Sequence, residues 1–327
     1  MKTKILITGG SGFIGTNLLG LYSNKKEFEL LNLDLAAPRN HQHKKFWVQT
    51  DILDKQEFVK KVVDFNPQYI VHLAARTDLE GQNSSDYAAN TFGVINLIDA
   101  CKKLNQLKRI GFASSRLVCR IGYSPQSEND VCPTTEYGKS KVQGEQLVRN
   151  SSADLPEWFI FRPTSIWGPW FDIPYKTFFM NIYKSRYIHP ADLIIKKSFG
   201  YVGNSVYQID KLLFSQTQAH LRKTFFLCDY QSIEVKKWAD IIAQRMDKPR
   251  VKSVPVFFLN VIATLGDGLK KIGYVHPPLT RFRLDNLMTN MVYETQLLED
   301  VCGPLPFSIE QGVTQTLSWL KVRNIIE

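Results

Sequence analysis

Thr8 to Gly15 read TGGSGFIG, preceded by the apolar run KILI (4–7) and followed by the helical pattern TNLLGLY (16–22). Four glycines in eight residues would each weaken a strand or helix by roughly 0.5–1 kcal/mol. The stretch is therefore a turn between a strand and a helix, and one that needs backbone freedom. Gly9 permits a tight turn, Gly12 lets a pyrophosphate approach the backbone, and Gly15 lets helix and strand close on each other, at a spacing wider than GxGxxG. The exposed N–H groups and positive end of the following helix suit phosphate, so the turn predicts a dinucleotide site.

Nineteen residues after Gly15, Asp34 ends the next apolar run, FELLNLD. A carboxylate there accepts from both ribose hydroxyls of an adenosine and repels a 2′-phosphate, which favours NAD over NADP. Arg39, five residues on, is the feature that keeps NADP as an alternative.

Further along, short apolar runs alternate with helical patterns: KFWVQTD, FVKKVVDF, YIVHLAA, TFGVINLIDACKKL, RIGFASS, KSKVQGEQLVR and WFIFRP. Alternating strands and helices predict a doubly wound parallel α/β sheet of Rossmann type. After FRP the rhythm breaks into WGPWFDIPYK, which opens a smaller, mostly helical C-terminal substrate lobe. The expected division is a dinucleotide-binding domain over 1–165, joined by segments near 198–228, with the substrate lobe formed by 166–197 and 229–327. GYVGNSVYQIDKLL (200–213) and TFFLCD (224–229) are the segments expected back at the sheet or its edge.

The chain of 327 residues is 44% hydrophobic and 22% charged, which is ordinary for a globular protein and excludes disorder. Its formal charge of +10 can attract phosphate, nucleic acid or an anionic membrane, and selects none of them. The five cysteines are scattered without a CxxC pair, which argues against a disulfide framework or zinc site and for a reducing cytoplasm. His41 and His43 form an HxH without partners, so no metal is expected, and His72 inside an apolar strand is read as a core residue. The first strand begins within four residues, which leaves no room for a signal peptide. VPVFFLNVIATL (254–265) is too short to span a bilayer and is expected to be a buried or amphipathic helix started by Pro255. Its apolar face with Lys270 and Lys271 is what a membrane-surface role would use; stable insertion is not expected. The aromatic, basic stretch 167–189 could stack bases but reads better as the lobe's core and lip, so no nucleic-acid partner is expected.

Tyr137 and Lys141 sit four apart on a predicted helix, on one face. A phenol with an ordinary pKa of about 10 acts as a base near neutrality only if positive charge lowers it by roughly three units, and Lys141 with a charged nicotinamide could do so. The pair follows a strand ending in Ser114 and Ser115, at the carboxyl end where ligands bind in such sheets. Ser115 could share the reacting oxygen with Tyr137, or could simply cap the strand end.

These residues resemble the extended short-chain dehydrogenases/reductases, the family of nucleoside-diphosphate-sugar epimerases and dehydratases. The resemblance rests on TGGSGFIG, DILD (51–54), VHLAA (71–75), NTFGVINLIDAC (90–101), ASSRLV (113–118), YGKSK (137–141) and FRPTSIWGP (161–169). It implies catalytic Ser115, Tyr137 and Lys141. It implies cofactor contacts from Gly9, Gly12, Phe13, Ile14, Gly15, Asp34, Asp51, Ile52, Leu73, Ala74, Ala75, Asn90, Ser114, Tyr137, Lys141 and Pro163, with Asn90 also steadying the helix under the site and Arg162 leading the same strand end as Pro163. Substrate contacts would come from Thr77, Arg116, Thr164, Ser165 and Lys197, the last two near a diphosphate. A homodimer through the helices around 86–104 and 137–150 is also implied.

The chain departs from the family at Arg116 and Leu117, where dehydratases carry Asp-Glu, at Cys119 and Arg120 in place of Tyr-Gly, and at Asn204 in place of aspartate. The resemblance therefore implies an NAD-dependent epimerase of a nucleoside-diphosphate sugar rather than a dehydratase. The alternatives are a net reductase or dehydrogenase of a keto-sugar nucleotide or a steroid-like alcohol, and a catalytically idle NAD-binding protein.

Overall fold

Ile5 and Ile7 pack into one hydrophobic core and Leu6, between them, into another. The same alternation recurs at Ile70 and Val71 and through Trp158, Phe159, Ile160 and Phe161. Strands that bury both faces in this way belong to a sheet covered by helices on either side. The computed structural model describes residues 2–191, 193–274 and 279–327.

The first half runs β1 (Thr3–Thr8), α1 (Phe13–Tyr22), β2 (Phe28–Asp34), β3 (Trp47–Gln49), α2 (Lys55–Phe65), β4 (Tyr69–His72), α3 (Ala88–Cys101), β5 (Arg109–Ala113), α4 (Glu136–Asn150) and β6 (Glu157–Pro163). There follow β7 (Ser165–Trp167), α5 (Tyr175–Tyr183), β8 (Ile188–Pro190), β9 (Lys196–Lys197), β10 (Phe199–Tyr201), α6 (Val202–Phe214) and β11 (Thr224–Leu227). The chain ends with β12 (Ile233–Glu234), α7 (Val235–Arg245), β13 (Lys252–Val254), α8 (Val256–Lys271), α9 (Arg281–Met288), α10 (Gln296–Cys302) and α11 (Ile309–Val322).

Among the described residues, seven parallel strands form one sheet in the order β11-β6-β5-β4-β1-β2-β3. The order reverses between β1 and β4. A crevice opens there at the carboxyl ends of the strands, the general ligand position in such sheets. The fold is thus a doubly wound Rossmann-like sheet with a helical C-terminal region.

Of the two late segments, TFFL forms edge strand β11 against β6. Residues 202–213 are different: they form helix α6, which covers one face of the sheet with Leu212 and Leu213 in the core beside Leu18 and Leu19. Its apolar residues fall at helical rather than alternating positions, and that periodicity decides. The same core continues without a break into Trp167, Phe179, Tyr201 and Trp238 of the C-terminal region.

The helix expected near Pro255 is α8, with Pro255 as its cap. Its orientation departs from expectation. Leu259 and Ala263 are buried, but Phe257, Phe258, Val261 and Leu265 point to solvent. The side chain of Lys271 lies outside the described residues.

Candidate active site

Gly9 has φ +72° and a Cβ there would stand 2.5 Å from the backbone nitrogen of Ala74, so only glycine fits between β1 and the end of β4. Gly15 approaches as closely: its Cβ would lie 2.5 Å from Gly10 Cα. At Gly12, the cap of α1, a Cβ would meet only Gly9 O, at 3.2 Å. The first helical bond is Thr16 N–H to Gly12 O, so the amides of Phe13 and Ile14 belong to the open first turn, and α1 carries no acidic residue there. A glycine cradle of this kind, facing a cavity of about 790 Å³, fits a pyrophosphate at a helix N-terminus.

That cavity is lined by Gly9, Gly12, Phe13, Ile14 and Gly15, by Asp34, Asp51 and Ile52, by Leu73, Ala74, Ala75 and Thr77, and by Ser114, Ser115, Tyr137, Lys141, Pro163 and Thr164. Asp34 stands at one end, accepting from Ser11 N–H and Ala36 N–H at 2.9 Å each. Burial pushes its carboxyl up from the usual range, against those two bonds. Arg39 is already engaged: it donates to Asp172 Oδ2 at 2.7 Å and to the Trp170 carbonyl at 2.8 Å. That pairing removes the support Arg39 would give a 2′-phosphate.

At the other end, β5 delivers Ser114 and Ser115 and α4 delivers Tyr137 and Lys141. Thr135 caps α4 by accepting from Gly138 N–H. Gly138 packs so closely on the Leu117 carbonyl that a Cβ would stand 2.2 Å from it, which fixes the helix against the strand end. Ser115 fills the capping role foreseen for it, its Oγ accepting from Leu117 N–H at 3.1 Å, and it lies close enough to the Tyr137 phenol to favour its ionised form.

The lowering of the Tyr137 phenol expected from Lys141 with a charged nicotinamide is not produced by the chain alone. Burial holds the phenol above its ordinary value, and the neighbouring Ser115 opposes this only in part. Lys141 is itself pushed down to about 8 by burial, with Glu145 opposing, and its Nζ donates to the Ala113 carbonyl at 2.9 Å. The second positive charge that completes the base must arrive with a ligand.

Four expected site residues lie away from the cavity lining. Asn90 is buried behind it, joining Arg76 N–H, the Arg76 carbonyl and Ser140 Oγ, so it supports α4 instead of touching a cofactor. Ser165, Arg116 and Lys197 form a separate inner group with Tyr175, Tyr293 and Met291. Ser165 and Arg116 neighbour the Tyr175 phenol and partly offset the upward push of its burial, Arg116 Nη1 lies 3.3 Å from Met291 Sδ, and Lys197 Nζ donates to the Asn286 carbonyl at 2.6 Å. Burial and the neighbouring Arg116 push Lys197 down to about 7.

Arg162 is at the strand end, as expected, but its side chain turns away from the cavity. It is buried against Glu145, donating to both carboxylate oxygens at 2.7 Å. His72 is a core residue, its Nδ1 2.7 Å from Thr8 Oγ1, and burial holds it neutral with a pKa of about 3. Asn204 donates to Asp229 Oδ1 and accepts from Phe307 N–H; an aspartate there would set two buried carboxylates together.

Sequence reasoning missed Asp172, Tyr175, Asn286, Met291 and Tyr293. They carry no motif, and chain returns of 89 residues or more bring the last three beside Arg116 and Lys197. Only the proline- and aromatic-rich run 167–175 signalled a lip.

Residues 5–193 match the NAD dependent epimerase/dehydratase family. The N-acetyl-α-D-glucosaminyl-diphospho-ditrans,octacis-undecaprenol 4-epimerase of Escherichia coli O157:H7 is 24% identical over 98% of this chain and 96% of its own. The UDP-glucose 4-epimerase of Vibrio cholerae is 30% identical over 52% of this chain and 53% of its own. Among solved structures, UDP-glucuronic acid 4-epimerase from Bacillus cereus, in complex with UDP-glucuronic acid and NAD, superposes with a TM-score of 0.75 at 16% identity, covering 98% of this chain and 100% of that one. With more than half its length matched by the family and the glycine cradle, Asp34 and the Ser-Tyr-Lys group on one cavity, the chain belongs to the NAD dependent epimerase/dehydratase family, and NAD is its cofactor.

Proposed function

We propose that the protein interconverts the C4 epimers of a nucleoside-diphosphate sugar through a transient ketone. The observation that carries this reading is the convergence of Ser115, Tyr137 and, one turn on, Lys141 on the wall of the cavity that also holds Asp34. Gly9, Phe13 and Ile14 would hold the cofactor's pyrophosphate and Asp34 its ribose; bound NAD supplies a hydride acceptor that later returns the hydride. Tyr137 takes the proton of the C4 hydroxyl while Ser115 holds that oxygen, and returns the proton when the ketone is reduced from the other face. Arg116 and Leu117 provide no acid–base pair for loss of water. The test is NMR of UDP-, GDP- and dTDP-sugars with catalytic enzyme and no added reduced cofactor. Many turnovers at constant nicotinamide absorbance support epimerisation; product only in proportion to added NADH or NADPH supports a reductase and overturns the reading.

Asp34 carries the cofactor preference in this reading. NAD should bind at least tenfold more tightly than NADP, and Asp34→Ala should shrink that margin to about threefold or less, since it removes charge-assisted bonds worth about 1.5–3 kcal/mol. Calorimetric titration of both nucleotides checks it; an unchanged margin assigns the preference elsewhere.

Arg116 and Lys197 would take the diphosphate. Anion binding favours charged Lys197, so binding takes up a proton and weakens as pH rises through about 7. The substrate KM should climb by up to about tenfold per unit above that value, and Lys197→Met should flatten the profile. An equally steep KM profile in Lys197→Met would remove Lys197 from the site.

The reading includes a homodimer through α3 and α4, whose outward side carries Phe92 at 60% exposure. Light scattering should give twice the chain mass of 37.6 kDa, and Phe92→Glu should return it to one. A wild-type monomer contradicts this. The free cysteines and the absence, among the described residues, of a helix long and apolar enough to cross a membrane support a cytoplasmic place.

A further inference from the structure

Helix α8 wears its amphipathicity inside out. At 100° per residue, Leu259 and Ala263 turn inward onto Leu284, in a small cluster with Val254, Leu279 and Met288. Phe258, Val261, Leu265 and Leu269 follow at three- and four-residue steps on the opposite side and are exposed, Leu265 at 65%. Phe257, at 70%, and Ile272 widen this stripe. Asn260, Thr264 and Asp267 lie along one flank between the two apolar sides, and Lys270 continues the inward line of Leu259 and Ala263 at the exposed end of the helix. A surface helix of a soluble protein normally has the reverse order, and a contiguous stripe of large apolar side chains marks a docking surface.

Charge identifies the occupant. Residues 245–285 hold eight Lys or Arg against three Asp, so half of the chain's formal excess of ten is gathered around this one helix. Arg245, Arg250, Lys252, Lys270 and Arg281 are exposed. A second copy seated on this face would bring two basic rims together at a cost in repulsion. An anionic lipid surface is attracted by the same rim, by about 1 kcal/mol per basic residue near it. With 16 residues, α8 is shorter than the roughly 20 needed to span a bilayer, so it would lie along the surface.

We propose that α8 docks flat on an anionic bilayer, with Phe257, Phe258, Leu265 and Ile272 at the headgroup–acyl boundary and Arg250, Lys252 and Arg281 against the headgroups. The helix is tied to the substrate end of the site. It packs on α9, whose Asn286 carbonyl holds Lys197, and the chain beyond α9 brings Met291 to Arg116.

The test is sedimentation of the full chain with vesicles of phosphatidylglycerol and phosphatidylcholine in equal parts, and with vesicles of phosphatidylcholine alone. Binding to the anionic vesicles is expected, weakening as salt is raised. The double variant F258S/L265S should cut the bound fraction by about tenfold or more while its circular dichroism and turnover of a soluble sugar nucleotide stay as in the wild type. Vesicle binding that is absent, or that F258S/L265S leaves unchanged, overturns the proposal. So does a wild-type oligomer that F258S/L265S splits with no vesicle binding, which would assign the face to a second copy. Failure of turnover in a protein that still binds vesicles counts against the epimerase reading and leaves the docking surface standing.

Discussion

Tyr137→Phe is expected to lower kcat by about 10²–10⁴-fold, the contribution of a positioned proton-transfer group, while NAD still binds. The substitution removes one oxygen from a ring that is 7% exposed and packed against Tyr87 at a centroid distance of 6.0 Å, so the helix and the cavity wall remain. Burial raises the free phenol, which means that the base is silent until positive charge enters the cavity. Activity in the oxidising direction should therefore rise with pH to a plateau whose midpoint lies well below the free phenol's value. Lys141→Met should move that midpoint upward and lower the rate at neutral pH. A Tyr137→Phe enzyme with a near-normal rate removes the proposed base, whatever the cofactor does.

Arg162→Met is the second substitution with a large expected effect, on stability. Glu145 is 3% and Arg162 1% exposed. Burial alone would raise the Glu145 carboxyl, but the two bonds from Arg162 and a third from Arg149 hold it below the usual range. Removing one partner from a buried pair typically costs about 3–5 kcal/mol; because Arg149 remains, the low end, about 3, is expected in urea unfolding. The sign of the pH dependence follows. In the wild type the depressed carboxyl contributes stability above its unfolded value of about 4.3, and that contribution fades as pH falls. In Arg162→Met the carboxyl is raised instead, so the deficit should shrink on acidification from pH 7 to 5, where protonation removes the uncompensated charge. Glu145→Leu added to Arg162→Met should recover most of the loss. A deficit indifferent to pH would mean that packing, not charge, holds this site.

The sheet was legible because its signals are local. Glycines at 9, 12 and 15, the alternation of apolar runs with helical ones, and YGKSK after a serine-ended strand each impose a backbone geometry within a few residues. What escaped was non-local. Arg162 sits in a strand-end motif, and nothing near it in sequence says that Glu145, on the preceding helix, will claim its guanidinium. Lys197 meets Asn286 across 89 residues, a pairing that only the folded C-terminal region creates. For α8 the helical period was readable but not its direction, since periodicity fixes that one face is apolar and leaves open which way the face points. Asn90 is at the place the resemblance assigns it, and its amide steadies α4 from behind the cavity, as implied, without lining it.

The central claim is that hydride leaves and returns to the same carbon within one site. Its most direct measurement uses a sugar nucleotide deuterated at C4, turned over by NAD-loaded enzyme in the presence of excess unlabelled NADH. The epimeric product is expected to keep its deuterium at C4, with nicotinamide absorbance constant through many turnovers. Product that carries protium at C4, with the substrate's deuterium recovered in the pool of reduced nicotinamide, would contradict this.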